Sequence, residues 1–393
     1  MFVWFHMAAR PVKAGEKSMN KRHSLLLLLA IVAAVVVTGC YDRVDLEEQS
    51  SSFLAGIDLD QQNNLLVYST NPVFSRHVNE KSQEIGVKAG TLRQSRGLLE
   101  ARTIGFFSNR KVQIILLGKR LLEHENWYRL LDVFLRDTKN PLTQRVVAFD
   151  GAISDLIDLN PKDQPLLPIM LRGMVDSKSA RSESVNTTFQ ELDRQMFESG
   201  VTPYISGVGL DKNKEIVMFG TTLLDKKGKY ASSLSISETI LLQILQKNVK
   251  RPVSYTLRIP GESKSGPFHT DRLSINAENI KTKIKTSYRE DRFRFVIDIN
   301  MPVTLTERLY PYDVRGHGKR LESLIAEQMK KRFESLVRTL QAQKIDPIGL
   351  GLYARAHEYK HYKDVQENWG EALAEADIQV AVKVTIRSMG PVK

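Results

Sequence analysis

Ile378-Gln379-Val380-Ala381-Val382-Lys383-Val384-Thr385-Ile386 places an apolar residue at every second position for nine residues. Such alternation fits only a strand with one face buried. Upstream, Leu321, Leu324, Ile325, Met329, Phe333, Leu336 and Leu340 recur at offsets of 0, 3, 4, 8, 12, 15 and 19. That is one face of a long amphipathic helix over residues 319–343, stopped by Asp346-Pro347. Between residues 253 and 299 the period is two again: Val253, Tyr255 and Leu257, then Ile280 and Ile284, then Phe293, Phe295, Ile297 and Ile299. The second half is therefore expected to be a mostly antiparallel sheet with a long helix laid on it.

The first half reads differently. Residues 53–58 and 65–69 form a hairpin pattern across a polar turn. Short apolar strands at 112–117 and 145–149 alternate with helical patterns at 91–102, 121–136 and 152–159. Strand–helix–strand order predicts parallel pairing. Residues 187–198 look helical, and Gly200 to Pro203 break the pattern. Residues 205–210 and 216–222 read as a strand pair and are grouped with the second half. The fold class is thus α+β and multi-domain, each domain a sheet flanked by helices. The expected parts are a leader over 1–39, an N-terminal region over 40–200 with two subdomains and a Pro- and Ser-rich linker near 161–186, and a C-terminal domain over 201–393.

The leader rests on a specific pattern. Lys21, Arg22 and His23 precede an uninterrupted apolar run from Leu25 to Val37, followed by Thr38-Gly39-Cys40. A basic cluster, an apolar run of 13 residues and small residues before the cut make an export signal; a membrane span needs about 20 apolar residues. A Cys directly after small-Gly is the lipoprotein variant. Its thiol accepts a diacylglycerol, and cleavage falls between Gly39 and Cys40. Residues before Met19 do not look like a signal start, so Met19 or Met7 is the expected initiator. Cys40 is the chain's one cysteine, which excludes disulfide frameworks, Cys-rich metal sites and two-cysteine redox pairs. The 57 basic and 45 acidic residues give a net charge of +12. The excess is dispersed, which suits an anionic membrane surface; with the export signal, it argues against nucleic acid.

One enzymatic pattern stands out. His357-Glu358-Tyr359-Lys360-His361 matches the zincin arrangement, two His one helical turn apart with Glu as base. It fits poorly: Lys360 brings an ammonium beside the site, Asp364 follows where the metzincin extension has Gly, and no later His supplies a third ligand. A solvated helix face is the preferred reading, and an exported zinc hydrolase the alternative. Gly349-Leu350-Gly351-Leu352-Tyr353-Ala354 loosely fits a dinucleotide fingerprint but follows a helix, so it reads as a turn. No P-loop and no nucleophile elbow occur. No catalytic, metal or cofactor-binding residue is assigned, and no cofactor is expected.

In order along the chain, Cys40-Tyr41-Asp42-Arg43-Val44-Asp45-Leu46, Gly56-Ile57-Asp58, the long helix, Gln343-Lys344-Ile345-Asp346-Pro347-Ile348-Gly349-Leu350-Gly351, a polar helix near Tyr362 and Trp369, and a last strand ending in Arg387-Ser388-Met389-Gly390 resemble the Ger(x)C spore-germination lipoproteins. Tyr41, Asp45 and Pro347 depart from that family's usual Trp, Glu and aliphatic or Phe. The resemblance implies a three-domain α+β fold and a non-enzymatic, lipid-anchored subunit on the outer face of the spore inner membrane. It also implies two integral-membrane partners, the A and B subunits of a nutrient germinant receptor. A solute-binding lipoprotein and a structural envelope lipoprotein are the other readings carried forward.

Overall fold

The computed structural model describes residues 21–37, 49–73, 80–159, 164–310 and 312–388. It divides into two units, Met1–Glu48 and Gln49–Lys393. In the first, Lys21–Val37 forms a helix, α1. Cys40, Gly39 and the motif at 41–46 lie outside the described residues, as does Gly390. Among the described residues no helix is long and apolar enough to cross a membrane.

The second unit is built on two sheets. The first has eight strands. In chain order its members are β2 (Leu54–Leu59), β3 (Leu65–Pro72), β4 (Ser82–Ala89), β6 (Ile114–Gly118), β7 (Arg145–Phe149), β8 (Tyr204–Leu210), β9 (Ile216–Leu224) and β10 (Tyr230–Ser235). In space they run β10-β9-β8-β7-β6-β2-β3-β4. The central β2, β6, β7 and β8 are parallel; antiparallel hairpins close both flanks. A separate short pair, β1 (Gln49–Ser51) with β5 (Phe106–Ser108), is parallel.

Ile114 to Leu117 of β6 are wholly buried, because the parallel centre is covered on both faces. Ile115 and Leu117 point to one face, against α2 (Leu92–Glu100), α3 (Lys119–Leu122), α4 (Asp132–Arg136) and α7 (Phe189–Phe197). Ile114 and Leu116 point to the other, against α5 (Ile153–Ile157) and α6 (Leu167–Ala180). The result is a three-layer α/β/α sandwich.

Three expectations change here. Residues 204–235, grouped by pattern with the second half, are β8–β10 of this first sheet. Their own alternation says that they are strands, whereas their partner β7 lies some fifty residues earlier and is chosen by tertiary packing. Within the stretch expected as a linker, Leu167–Ala180 is a helix whose Leu167, Leu171 and Val175 pack under the sheet. Pro168 sits in its first turn, where the missing N–H costs nothing. Residues 121–136 are not one helix: Asn126 adopts a left-handed conformation (φ 62°), and a 3-10 turn at Trp127–Leu131 precedes α4.

The second sheet contains β11 (Val253–Arg258), β12 (Arg272–Ala277), β13 (Lys281–Arg289), β14 (Arg292–Arg308) and β15 (Asp377–Ser388). The strands β11, β12, β14 and β13 pair antiparallel. The alternating run β15 instead pairs parallel to β14. Two strands joined by a long helical crossover return in the same direction, and here the crossover begins with α9 (Val314–Ala342). Leu321, Ile325, Met329, Phe333, Leu336 and Leu340 of α9 are at most 3% exposed. They share one core with Phe293, Phe295 and Ile297 of β14 and with α8 (Ile236–Leu245). The chain then passes through α10 (Leu350–His357), α11 (Tyr359–Val365) and α12 (Trp369–Ala374).

Candidate functional site

Asp346 is the most deeply committed polar residue between the two sheets. It is 1% exposed, in the loop between α9 and α10. Its carboxylate accepts from the Gly349 N–H, the Gly351 N–H and Trp369 Nε1, each at 2.8 Å. Burial pushes this carboxyl up from its ordinary value, and the N–H donors oppose that shift. The Asp346 backbone is held in turn by Thr202, just before β8. The Asp346 N–H donates to Thr202 Oγ1 at 2.9 Å, and the Thr202 N–H donates to the Asp346 carbonyl at 3.0 Å.

The glycines beside it are required by space. A Cβ on Gly351 would stand 2.6 Å from Gly200 Cα and 2.8 Å from Trp369 Nε1. Gly349 takes φ 84°, a left-handed turn leading into α10, so the Gly349–Gly351 stretch is a turn, not a phosphate cradle. On the surface of the same joint, Arg355 of α10 forms a bidentate pair with Glu198 at 2.8 and 3.1 Å. Burial would lift the Glu198 carboxyl, but the bonds from Arg355 and from the Gly200 N–H hold it below its ordinary value.

A second buried carboxylate explains Gly56-Ile57-Asp58. Asp58 lies at the C-terminal end of β2 and is 2% exposed. It accepts from the Ile153 N–H at 2.9 Å, at the start of α5, and from the Leu59 N–H at 2.8 Å. Burial raises its pKa; donors from Ile153, Leu59 and Leu121 oppose the rise. Asp58 thus caps helix starts on either side of the sheet.

The zincin pattern is taken apart by the fold. α10 ends at His357, and Glu358 leaves helical geometry (φ −132°, ψ 47°) before α11 begins. The two imidazoles therefore do not share one continuous helical face. His361 instead stacks on Tyr288 of β13, ring centroids 3.8 Å apart and planes 9° apart. Among the described residues no group of three or more potential ligands gathers around a common point. His361→Ala should cost about 1 kcal/mol through the lost stack, with a melting temperature that chelator does not move in either protein. A chelator-sensitive melt in the parent alone would restore the metal reading.

A large cleft among the described residues is basic. It has a volume of about 840 Å³ and lies between the start of α2, the residues following β5, and the 3-10 turn with α4. Arg93, Arg96, Arg110, Arg129 and Arg136 line it, with Asp132 and Asp137 as its carboxylates. Asp132 is taken by Arg136 at 2.5 Å, and Arg96 donates to the Phe107 carbonyl at 3.4 Å. Arg93, Arg110 and Arg129 have no acidic partner among the described residues. Pattern reading missed this cleft because its arginines come from three separate segments.

Two family models match in tandem. A spore germination protein N-terminal domain covers residues 42–217, and a spore germination B3/GerAC-like C-terminal domain covers residues 219–390. The chain belongs to the GerAC-like spore germination family. Among its relatives in Bacillus subtilis (strain 168), spore germination protein B3 is 22% identical over 371 residues, spanning 91% of this chain and 96% of the relative. Spore germination protein A3 is 20% identical over 379 residues, spanning 93% and 97%. The crystal structure of the GerBC protein superposes with a TM-score of 0.57 at 17% identity, covering 85% of this chain and 96% of that one. The α+β architecture is therefore that of the family. The join between its two family models, at 217–219, falls inside β9.

Proposed function

We propose that this GerAC-like chain is a lipid-anchored, non-catalytic subunit of a nutrient germinant receptor. It works with integral-membrane A and B subunits on the outer face of the spore inner membrane. One observation carries the reading: the family match begins at residue 42, directly after the signal pattern that ends in Gly39-Cys40. The diacylglycerol on Cys40 would by itself supply the two acyl chains that stable anchoring needs. The folded unit contributes buried carboxylates that fix its geometry, as a scaffold requires, and a basic surface suited to a membrane environment. In this role nutrient binding at the membrane subunits biases a conformational equilibrium that the anchored subunit helps to assemble or relay.

A strain carrying Cys40→Ala tests it. Spore-membrane retention of the chain and nutrient-triggered germination should fall together. Unchanged retention would overturn the lipid anchor. Lost retention with normal germination would remove the receptor role from the anchor.

A further inference from the structure

The segment from Thr91 to Lys111 carries five basic residues, with Glu100 as its single acid. Its outward face is both basic and apolar. On α2, Leu92, Ser95 and Leu99 turn inward, which leaves Arg93, Arg96 and Leu98 outside. Leu98 is 38% exposed, and beyond the helix Ile104 is 91% and Phe106 63% exposed. Glu100 is occupied, accepting from the Phe107 N–H at 3.4 Å. Isolated exposed apolar side chains need no explanation. Three on one short segment, edged by arginines without carboxylate partners, do.

The tether brings a specific occupant to this face. Phe106 opens β5, and its register partner is Gln49 of β1. Gln49 is nine residues from Cys40, a span of at most roughly 30 Å. An acyl chain on Cys40 would therefore hold the membrane surface within reach of Ile104 and Phe106. The arginine-lined cleft begins where β5 ends, at Ser108 and Arg110. Apolar tips with flanking cations are the chemistry that an anionic bilayer surface takes up: the tips enter the acyl boundary and the cations neutralise headgroups.

We infer that the α2–β5 face docks on an anionic phospholipid surface, Ile104 and Phe106 inserting and Arg93, Arg96 and Arg110 contacting lipid phosphates. The inference rests on the lipid-anchor reading above, and the test separates the two. In the full lipidated chain the thiol of Cys40 is blocked, so Ile104→Cys supplies the single reactive thiol for an environment-sensitive fluorophore. Lys212→Cys, in the exposed β8–β9 turn, serves as the control position. Both proteins are reconstituted in vesicles of phosphatidylcholine with phosphatidylglycerol and nitroxide-labelled lipid. The Ile104 probe should be quenched at least threefold more than the Lys212 probe. Arg93→Gln combined with Arg110→Gln should reduce that difference. Equal quenching at the two positions overturns the inference. So does an Ile104 probe that is shielded only when membrane proteins co-purify, which assigns the face to a protein partner. A parent chain that takes up fluorophore at Cys40 overturns the lipid anchor instead. Docking is then read from co-flotation with anionic vesicles, which Ile104→Ser with Phe106→Ser should abolish.

Discussion

Asp346→Ala is expected to lower the stability of the folded unit by about 3–5 kcal/mol. The substitution strips three N–H donors of their acceptor at once: those of Gly349 and Gly351, and Trp369 Nε1. Each bond to an ionised acceptor contributes roughly 1.5–3 kcal/mol, and a buried donor left without a partner adds its own desolvation cost. The individual figures do not sum, because the loop relaxes and water enters. Asp346→Asn is the informative companion. It keeps the volume and one acceptor oxygen but turns an NH₂ toward groups that can only donate. Its loss should lie between the parent and the alanine variant. The measurement is the urea midpoint of each variant at constant slope. Losses below about 1 kcal/mol for both would show that the carboxylate does not hold the joint. Because Thr202 grips the same loop from the first sheet, a second transition in the Asp346→Ala melt would show the sheets unfolding separately.

Gly118→Ala is expected to cost about 3 kcal/mol or more, although it adds one methyl group. That methyl would occupy the space of the Asp58 carboxyl. Overpacking alone costs typically 1–3 kcal/mol. Here the displaced group is also the acceptor for the Ile153 and Leu59 N–H groups, so the entry into α5 loses its cap. If the clash through Asp58 is the cause, Gly118→Ala with Asp58→Ala should be much less than additive in a double-mutant cycle. Full additivity would place the damage elsewhere. Gly56, in the same motif, is constrained more gently. Its added Cβ would meet Tyr68 Cβ at 3.0 Å and Ile153 Cγ2 at 3.2 Å.

The residues that matter most to this fold were visible in the sequence as spellings without roles. Gly56-Ile57-Asp58 and Asp346-Pro347-Ile348-Gly349-Leu350-Gly351 carried the family likeness. Yet an aspartate beside glycines reads locally as a turn, which is why neither carboxylate stood out as buried. Their donors come from Ile153, some ninety residues after Asp58, and from Trp369, beyond α10 and α11. His357 and His361 show the converse. Four-residue spacing implied a shared helical face, and a break at Glu358 together with stacking on Tyr288 removed it.

The sequence by itself determined the elements whose signal is local. The alternation of β15, the stripe of α9 and the apolar blocks of β6 and β7 follow from which side chains must leave water, a choice made within a few residues of chain. The proposed export signal is local in the same sense, because a peptidase would read it as an extended segment. Tertiary structure alone decided which strands share a sheet, that β15 runs parallel to β14, that residues 204–235 complete the first sheet, and which arginines meet in one cleft. Those outcomes depend on pairing between residues far apart in the chain. Local patterning is the same for every candidate partner, so only the packing of the whole core selects among them.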